Sequence, residues 1–157
     1  NISLMTWATI LINGTRFYKK LANSINDTTV SLAERLNQIP EVTVIGNPCD
    51  LVNVVSFYTD TNVCNISRVN HFMKEAGYNL NELQNPNAVH IAITENHISD
   101  EFKEQFISSL IQSIEMASKE QNENGNSGIT IYGTSQKVSD PGIIDTVARN
   151  YLDLLYC

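Results

Sequence analysis

His90 interrupts an apolar run, A-V-H-I-A-I-T, at positions 88–94. An imidazole placed there can take up or release a proton near neutral pH and can hydrogen-bond a ligand. Packed, satisfied histidines occupy such runs too, so the run alone leaves both uses open. Tyr132 is the second candidate. It follows the polar string Q-N-E-N-G-N-S-G and precedes Gly133, where a phenol could reach a cleft or simply pack as an aromatic. Other pairings carry less. Cys64 and His71 stand about two helical turns apart, beyond the hydrogen-bond reach that a nucleophile and its base need. Asp100 and Glu101 are helix neighbours that do not face each other, and their simplest use is to complement the dipole at a helix start. His97 falls in a polar stretch and reads as a solvated residue. Neither G-x-G-x-x-G, a P-loop, H-E-x-x-H nor G-x-S-x-G occurs.

Composition narrows the classes further. The chain has 157 residues, 42% hydrophobic and 17% charged, enough for one domain with its own core. A net charge of −7, with ten scattered basic residues, excludes the Lys/Arg footprint that nucleic-acid binding uses to displace counterions. Three cysteines at wide spacing, Cys49, Cys64 and Cys157, suggest neither a disulfide framework nor a metal site, and a reducing compartment is expected. Three Asn-x-Ser/Thr strings begin at Asn13, Asn26 and Asn65; in so Asn-rich a chain they are expected by chance. No apolar run approaches the roughly 20 residues that cross a bilayer.

The elements that must position these residues are legible from periodicity. Apolar runs at 42–46, 51–59 and 88–94 predict strands. Between the last two, positions 66–77 predict a short helix with Asn65 as N-cap and a stripe of Ile66, Val69, Met73 and Ala76. Gly77 sits where a left-handed C-cap belongs, and Tyr78 can pack back on the helix. Residues 2–12 are apolar nearly all round, which predicts a helix buried on every side, either against a larger domain or a second subunit or as an ordinary core helix of an unfamiliar small fold. Asn13-Gly14 breaks it, and an amphipathic helix follows over 15–38, stopped by Pro40. Ser99 opens a further amphipathic helix through Phe102, Phe106, Leu110, Ile114 and Ala117, and a loop is expected over 121–128. Residues 129–133 read as a short extended piece. Asp140-Pro141 opens a last helix whose buried face is expected to carry Ile144, Val147, Ala148, Tyr151, Leu152 and Leu155. The class is therefore α/β, in the α+β sense of a small sheet covered by helices.

Several strings go beyond architecture. I-S-L-M-T-W-A-T near the start, V-I-G-N-P at 44–48, G-Y-N-L-N-E-L-Q-N-P at 77–86, V-H-I-A-I-T at 89–94, I-Y-G-T-S-Q at 131–136 and Y-L-D-L-L-Y at 151–156 resemble the C-terminal part of the sphingosine-1-phosphate lyases. These belong to the pyridoxal-phosphate decarboxylase group with the aspartate-aminotransferase-type fold. The resemblance implies that residues 1–40 are a helical segment linking to a large cofactor domain and that 41–157 form the C-terminal small domain. It implies a reaction on phosphorylated sphingoid bases, giving a fatty aldehyde and phosphoethanolamine. The cofactor, pyridoxal phosphate, would be bound mainly upstream, where the family keeps its Schiff-base lysine, so that this chain alone would be inactive. Tyr132 matches the family's Y-G tyrosine at the active site, with a contact to substrate or phosphate as its implied role. His90 stands where related decarboxylases and aminotransferases carry a carboxylate-pairing arginine, and the lyase substrate has no carboxylate. Partners implied are the rest of the same enzyme and a second copy in a homodimer, with no nucleic acid and no metal. A cytosolic or cytosol-facing location is implied, with endoplasmic-reticulum association or delivery into a host cell open to the parent protein. The rival expectation is a stand-alone α+β binding or regulatory module.

Overall fold

Asn65 begins the helix that anchors the sheet: its side-chain oxygen accepts from the backbone N–H of Ser67 at 2.9 Å, satisfying a donor that the first turn cannot. The helix, α2 (Ile66–Glu75), ends where Gly77 turns at φ +94, and the N–H of Tyr78 bonds back to the carbonyl of Met73. Ile66, Val69 and Met73 are buried as the spacing predicts. Ala76, the C-cap just past the last helical residue, is exposed instead, and Phe72 is the half-buried residue there.

This computed structural model describes residues 2–124 and 141–156. The long first helix, α1 (Ile2–Leu36), is interrupted at Gly14, whose φ of 68 and ψ of 169 are not helical; Asn13-Gly14 therefore breaks the helix as its sequence indicates. Four strands follow: β1 (Val42–Val44), β2 (Val54–Thr59), β3 (Asn81–Leu83) and β4 (Ala88–Ala92), with α2 between β2 and β3. After β4 come α3 (Asp100–Asn124) and α4 (Pro141–Tyr156). The sheet order is β1-β2-β4-β3, and every pair is antiparallel.

The register sorts the strands into two faces. Val55 pairs with Ile91 and Phe57 with Val89, and together with Val42 and Val44 these side chains face the core. The C-terminal half of α1 (Leu32, Ala33, Leu36), α2 and α3 (Phe106, Leu110, Ile114, Ala117) cover that face. Each large side chain fully withdrawn from water, Phe57 or Phe106 for example, stabilises the fold by roughly 1.5–3 kcal/mol before entropy is set against it. On the other face Thr43, Val54, Ser56, Tyr58, His90 and Ala92 are exposed or half-buried, while Ala88, opposite Leu83, is buried. The result is an α+β arrangement with helices on one side of a small antiparallel sheet.

Three expectations need correction. The string N-L-N-E-L contains a strand, β3, that the periodicity did not reveal, because three residues are too few to display an alternation. Residues 51–53 are not strand: Pro48–Asp50 form a single 3₁₀ turn capped by Asn47, and β2 begins only at Val54. The helix α3 runs through Asn124, four residues into the string read as a loop.

Two apolar surfaces lie open. In the first turns of α1, Ile2, Leu4, Met5, Trp7 and Ile12 are between 60% and 83% exposed, where burial on every side was expected of a helix apolar all round. In α4, Val147, Tyr151 and Leu152 are exposed as well, contrary to the buried face its spacing suggested. The described residues supply no mass to cover either. Residues 129–133 and Asp140 lie outside the described residues.

Candidate functional site

His90 lies in the middle of β4, between Ser56 of β2 and Asn81 of β3, both directly opposite it in the register. Alternation along β4 fixes its direction: Val89 and Ile91 take the core side, so His90 points to the uncovered face. The residue is half-buried, and its Nδ1 is screened from solvent without a hydrogen-bond partner. An unsatisfied buried nitrogen costs about 1–3 kcal/mol relative to one that is bonded. Neutral imidazole can offer that atom as an acceptor or as a donor. The Nδ1 of His90 therefore keeps a hydrogen-bonding capacity that no described residue uses.

Tyr132, the second candidate, lies outside the described residues. The remaining titratable groups are used locally. Cys64 is fully buried and burial pushes its thiol up, while His71 is on the exposed side of α2 within 3.6 Å of Glu75, so the two form no pair. Asp100 is held by Lys103 one turn on at 2.7 Å, which draws its carboxyl down, and Arg35 does the same to Glu104 at 2.7 Å. His97 is not the solvated residue its sequence context suggested. Its Nδ1 accepts from the N–H of Thr94 at 3.1 Å and its ring lies 4.6 Å from Phe102, and desolvation lowers its pKa. Among the described residues no group of three His, Cys, Asp or Glu converges to hold a metal ion, and no helix is long and apolar enough to cross a membrane.

A covalently held pyridoxal phosphate needs a lysine in a sheltered cleft. Lys19, Lys20, Lys74 and Lys119 are exposed and Lys103 is engaged with Asp100; Lys137 lies outside the described residues. The described residues do not fit that group. A shallow groove of about 360 Å³ opens along α1 between Ile2, Met5, Thr6, Thr9, Ile10 and Tyr18, but it is lined mainly by apolar atoms and holds no ionisable group besides the phenol.

Ser56 and Asn81 are the neighbours that sequence reasoning missed. Both belong to strings noted for other reasons, but nothing in the order of residues announces that β2 and β3 flank β4 at that register.

No protein-family model matches the chain. The sphingosine-1-phosphate lyase of Dictyostelium discoideum is 31% identical to it over 150 residues, which make up 95% of this chain and 27% of that protein. The solved structure of sphingosine-1-phosphate lyase from Burkholderia pseudomallei superposes on 75% of this chain and 26% of its own, with a TM-score of 0.64 and 28% identity. A structure of C-DES, with glycine covalently linked to its PLP cofactor, shares the fold over 61% of this chain and 24% of its own, at TM-score 0.50 and 20% identity. The chain spans about a quarter of the length of the curated relatives it matches.

Proposed function

We propose, from the premise that this chain is homologous along nearly all its length to a quarter-length segment of the sphingosine-1-phosphate lyases, that it is the C-terminal part of such an enzyme. The whole protein would use pyridoxal phosphate to cleave a phosphorylated long-chain base into a fatty aldehyde and phosphoethanolamine. When bound, that cofactor supplies the electron sink for carbon–carbon cleavage, and the protein supplies position and electrostatics. The observation that carries the reading is the superposition on the Burkholderia enzyme, which agrees in sequence as well as in backbone.

In this reading residues 1–40 link to a large domain and 41–157 form the small one. The large domain holds the Schiff-base lysine. It also covers the exposed apolar turns at the start of α1, and the assembly is a homodimer. His90 faces the substrate from the side of the sheet away from the helices, and an imidazole stands there because the substrate brings no carboxylate. A guanidinium at that point would be left unpaired, at considerable cost. Tyr132 contacts the substrate or its phosphate. The location is cytosolic or cytosol-facing.

The test is product analysis on the whole protein supplied with pyridoxal phosphate and a phosphorylated long-chain base. Fatty aldehyde and phosphoethanolamine in equal amounts are expected. Intact substrate, with the cofactor bound, would refute the lyase reading.

A further inference from the structure

The break in α1 has a chemistry of its own. Gly14 turns at φ 68 and ψ 169 inside a run that is otherwise helical, and nothing lies within 4 Å of where a Cβ would sit. Asn13 and Gly14 are half-buried, while Leu11, Ile12, Thr15 and Arg16 around them are exposed. The Asn13 amide is held loosely: its Nδ2 stands 3.5 Å from the Tyr18 hydroxyl, the outer limit of a hydrogen bond. The asparagines that begin the other two Asn-x-Ser/Thr strings are committed to the fold. Asn26 donates to the carbonyl of Leu51 at 2.8 Å, and Asn65 caps α2.

An asparagine side-chain amide is attacked by the backbone nitrogen that follows it, and most readily when that nitrogen belongs to glycine, because no Cβ obstructs the approach. Regular helix ordinarily prevents the attack. There the nitrogen is engaged with the carbonyl four residues back, and the backbone is fixed until the turn opens. At Gly14 the helix is already broken, and the space beside its Cα is open.

We propose that Asn13-Gly14 is a site of spontaneous deamidation, with water as the only co-reactant. The Gly14 nitrogen gives its proton to solvent and bonds to Cγ of Asn13, closing a five-membered succinimide. Nδ2 leaves with its two hydrogens, takes a proton back and departs as ammonia. Water then breaks one of the two C–N bonds of the ring, giving aspartate or isoaspartate, and nothing is oxidised or reduced. Either product places a carboxylate at the root of the apolar arm formed by residues 2–12, and the second also adds a methylene to the backbone. A partner covering that arm would then have to desolvate a charge that the original amide does not carry.

The experiment incubates the whole protein carrying this chain, folded, in mildly alkaline buffer, beside a synthetic peptide of residues 9–18 as the unstructured reference. Samples are cut with trypsin after Arg16, and the fragment holding Asn13 is followed by chromatography and mass spectrometry. The chain's other Asn-Gly pair starts at Asn124 and falls in a different fragment. Aspartate and isoaspartate forms of the Asn13 fragment are expected, accumulating within about tenfold of the peptide's rate, as for a segment whose opening costs little. Asn13→Gln, whose longer side chain closes the ring far more slowly, should leave that fragment unchanged. A rate in the folded protein more than about tenfold below the peptide's means that the joint is held shut and overturns the proposal. Conversion that persists in the fragment after Asn13→Gln overturns it as well.

Discussion

Arg68 on α2 grips Glu120 on α3: its Nε lies 2.8 Å from one carboxylate oxygen, a terminal nitrogen reaches the carboxylate as well, and the guanidinium sits 5.5 Å from the ring centre of Phe72. The pair ties together two of the helices that cover the sheet. It is partly open to solvent, with side-chain exposures of 28% and 37%, so water and salt screen it. Arg68→Ala should cost about 1 kcal/mol, combining a screened ion pair with lost packing on Phe72. Urea unfolding at low and high salt checks this: the loss should shrink with salt. A cost of several kcal/mol at both would mean that the pair is far better shielded than its exposure indicates.

Phe106 is fully buried and meets the ring of Tyr78 edge-on at 5.2 Å. It joins α3 to the residue that closes α2. Phe106→Ala removes a large core side chain and should destabilise the fold by about 3–5 kcal/mol in chemical denaturation. A loss below about 1 kcal/mol would place this ring outside the core.

Gly77 turns at φ +94 with nothing within 4 Å of where a Cβ would sit. The cost of Gly77→Ala is therefore conformational, not steric against neighbours, and should be about 1–2 kcal/mol. Thermal unfolding of the variant measures it. An unchanged midpoint would show that the turn relaxes.

His97 should make stability depend on pH. Desolvation lowers its folded-state pKa below the ordinary 6.5, so the unfolded chain binds the extra proton first. The stabilisation is complete above about 6.5 and is lost as pH falls from there through the folded value. Protonation would also end the role of Nδ1 as acceptor for the Thr94 N–H. His97→Gln should flatten the slope in that window. A slope unchanged by the substitution would assign it to other groups.

His90→Arg in the whole protein should lower lyase turnover about tenfold or more, because a guanidinium there would face a substrate that brings no carboxylate to pair with it. Turnover equal to the parent's would remove His90 from the site. Tyr132→Phe should lower turnover while leaving unfolding unchanged, if the phenol serves the substrate and not the core.

Much of this architecture could be read in advance where local chemistry dictates it. Asn65 as a cap, Gly77 as a stop and the Phe106–Leu110–Ile114 spacing of α3 all act within a turn or two of chain, and the structure places each where the order of residues indicates. What depends on distant partners was not legible. β3 exists because Asn81–Leu83 finds the edge of β4, and the Ser56–His90–Asn81 row exists because three separate strands align. His97 shows the same limit: its neighbours in sequence are polar, but the ring of Phe102 folds over it. The apolar start of α1 was expected to be buried on every side, and among the described residues nothing covers it.

The most direct measurement compares two preparations on one phosphorylated long-chain base with pyridoxal phosphate: the whole protein carrying this chain, and the 157-residue chain alone. The account predicts fatty aldehyde and phosphoethanolamine from the first and none from the second. Cleavage by the 157 residues alone, or none by the whole protein with its cofactor bound, would contradict it.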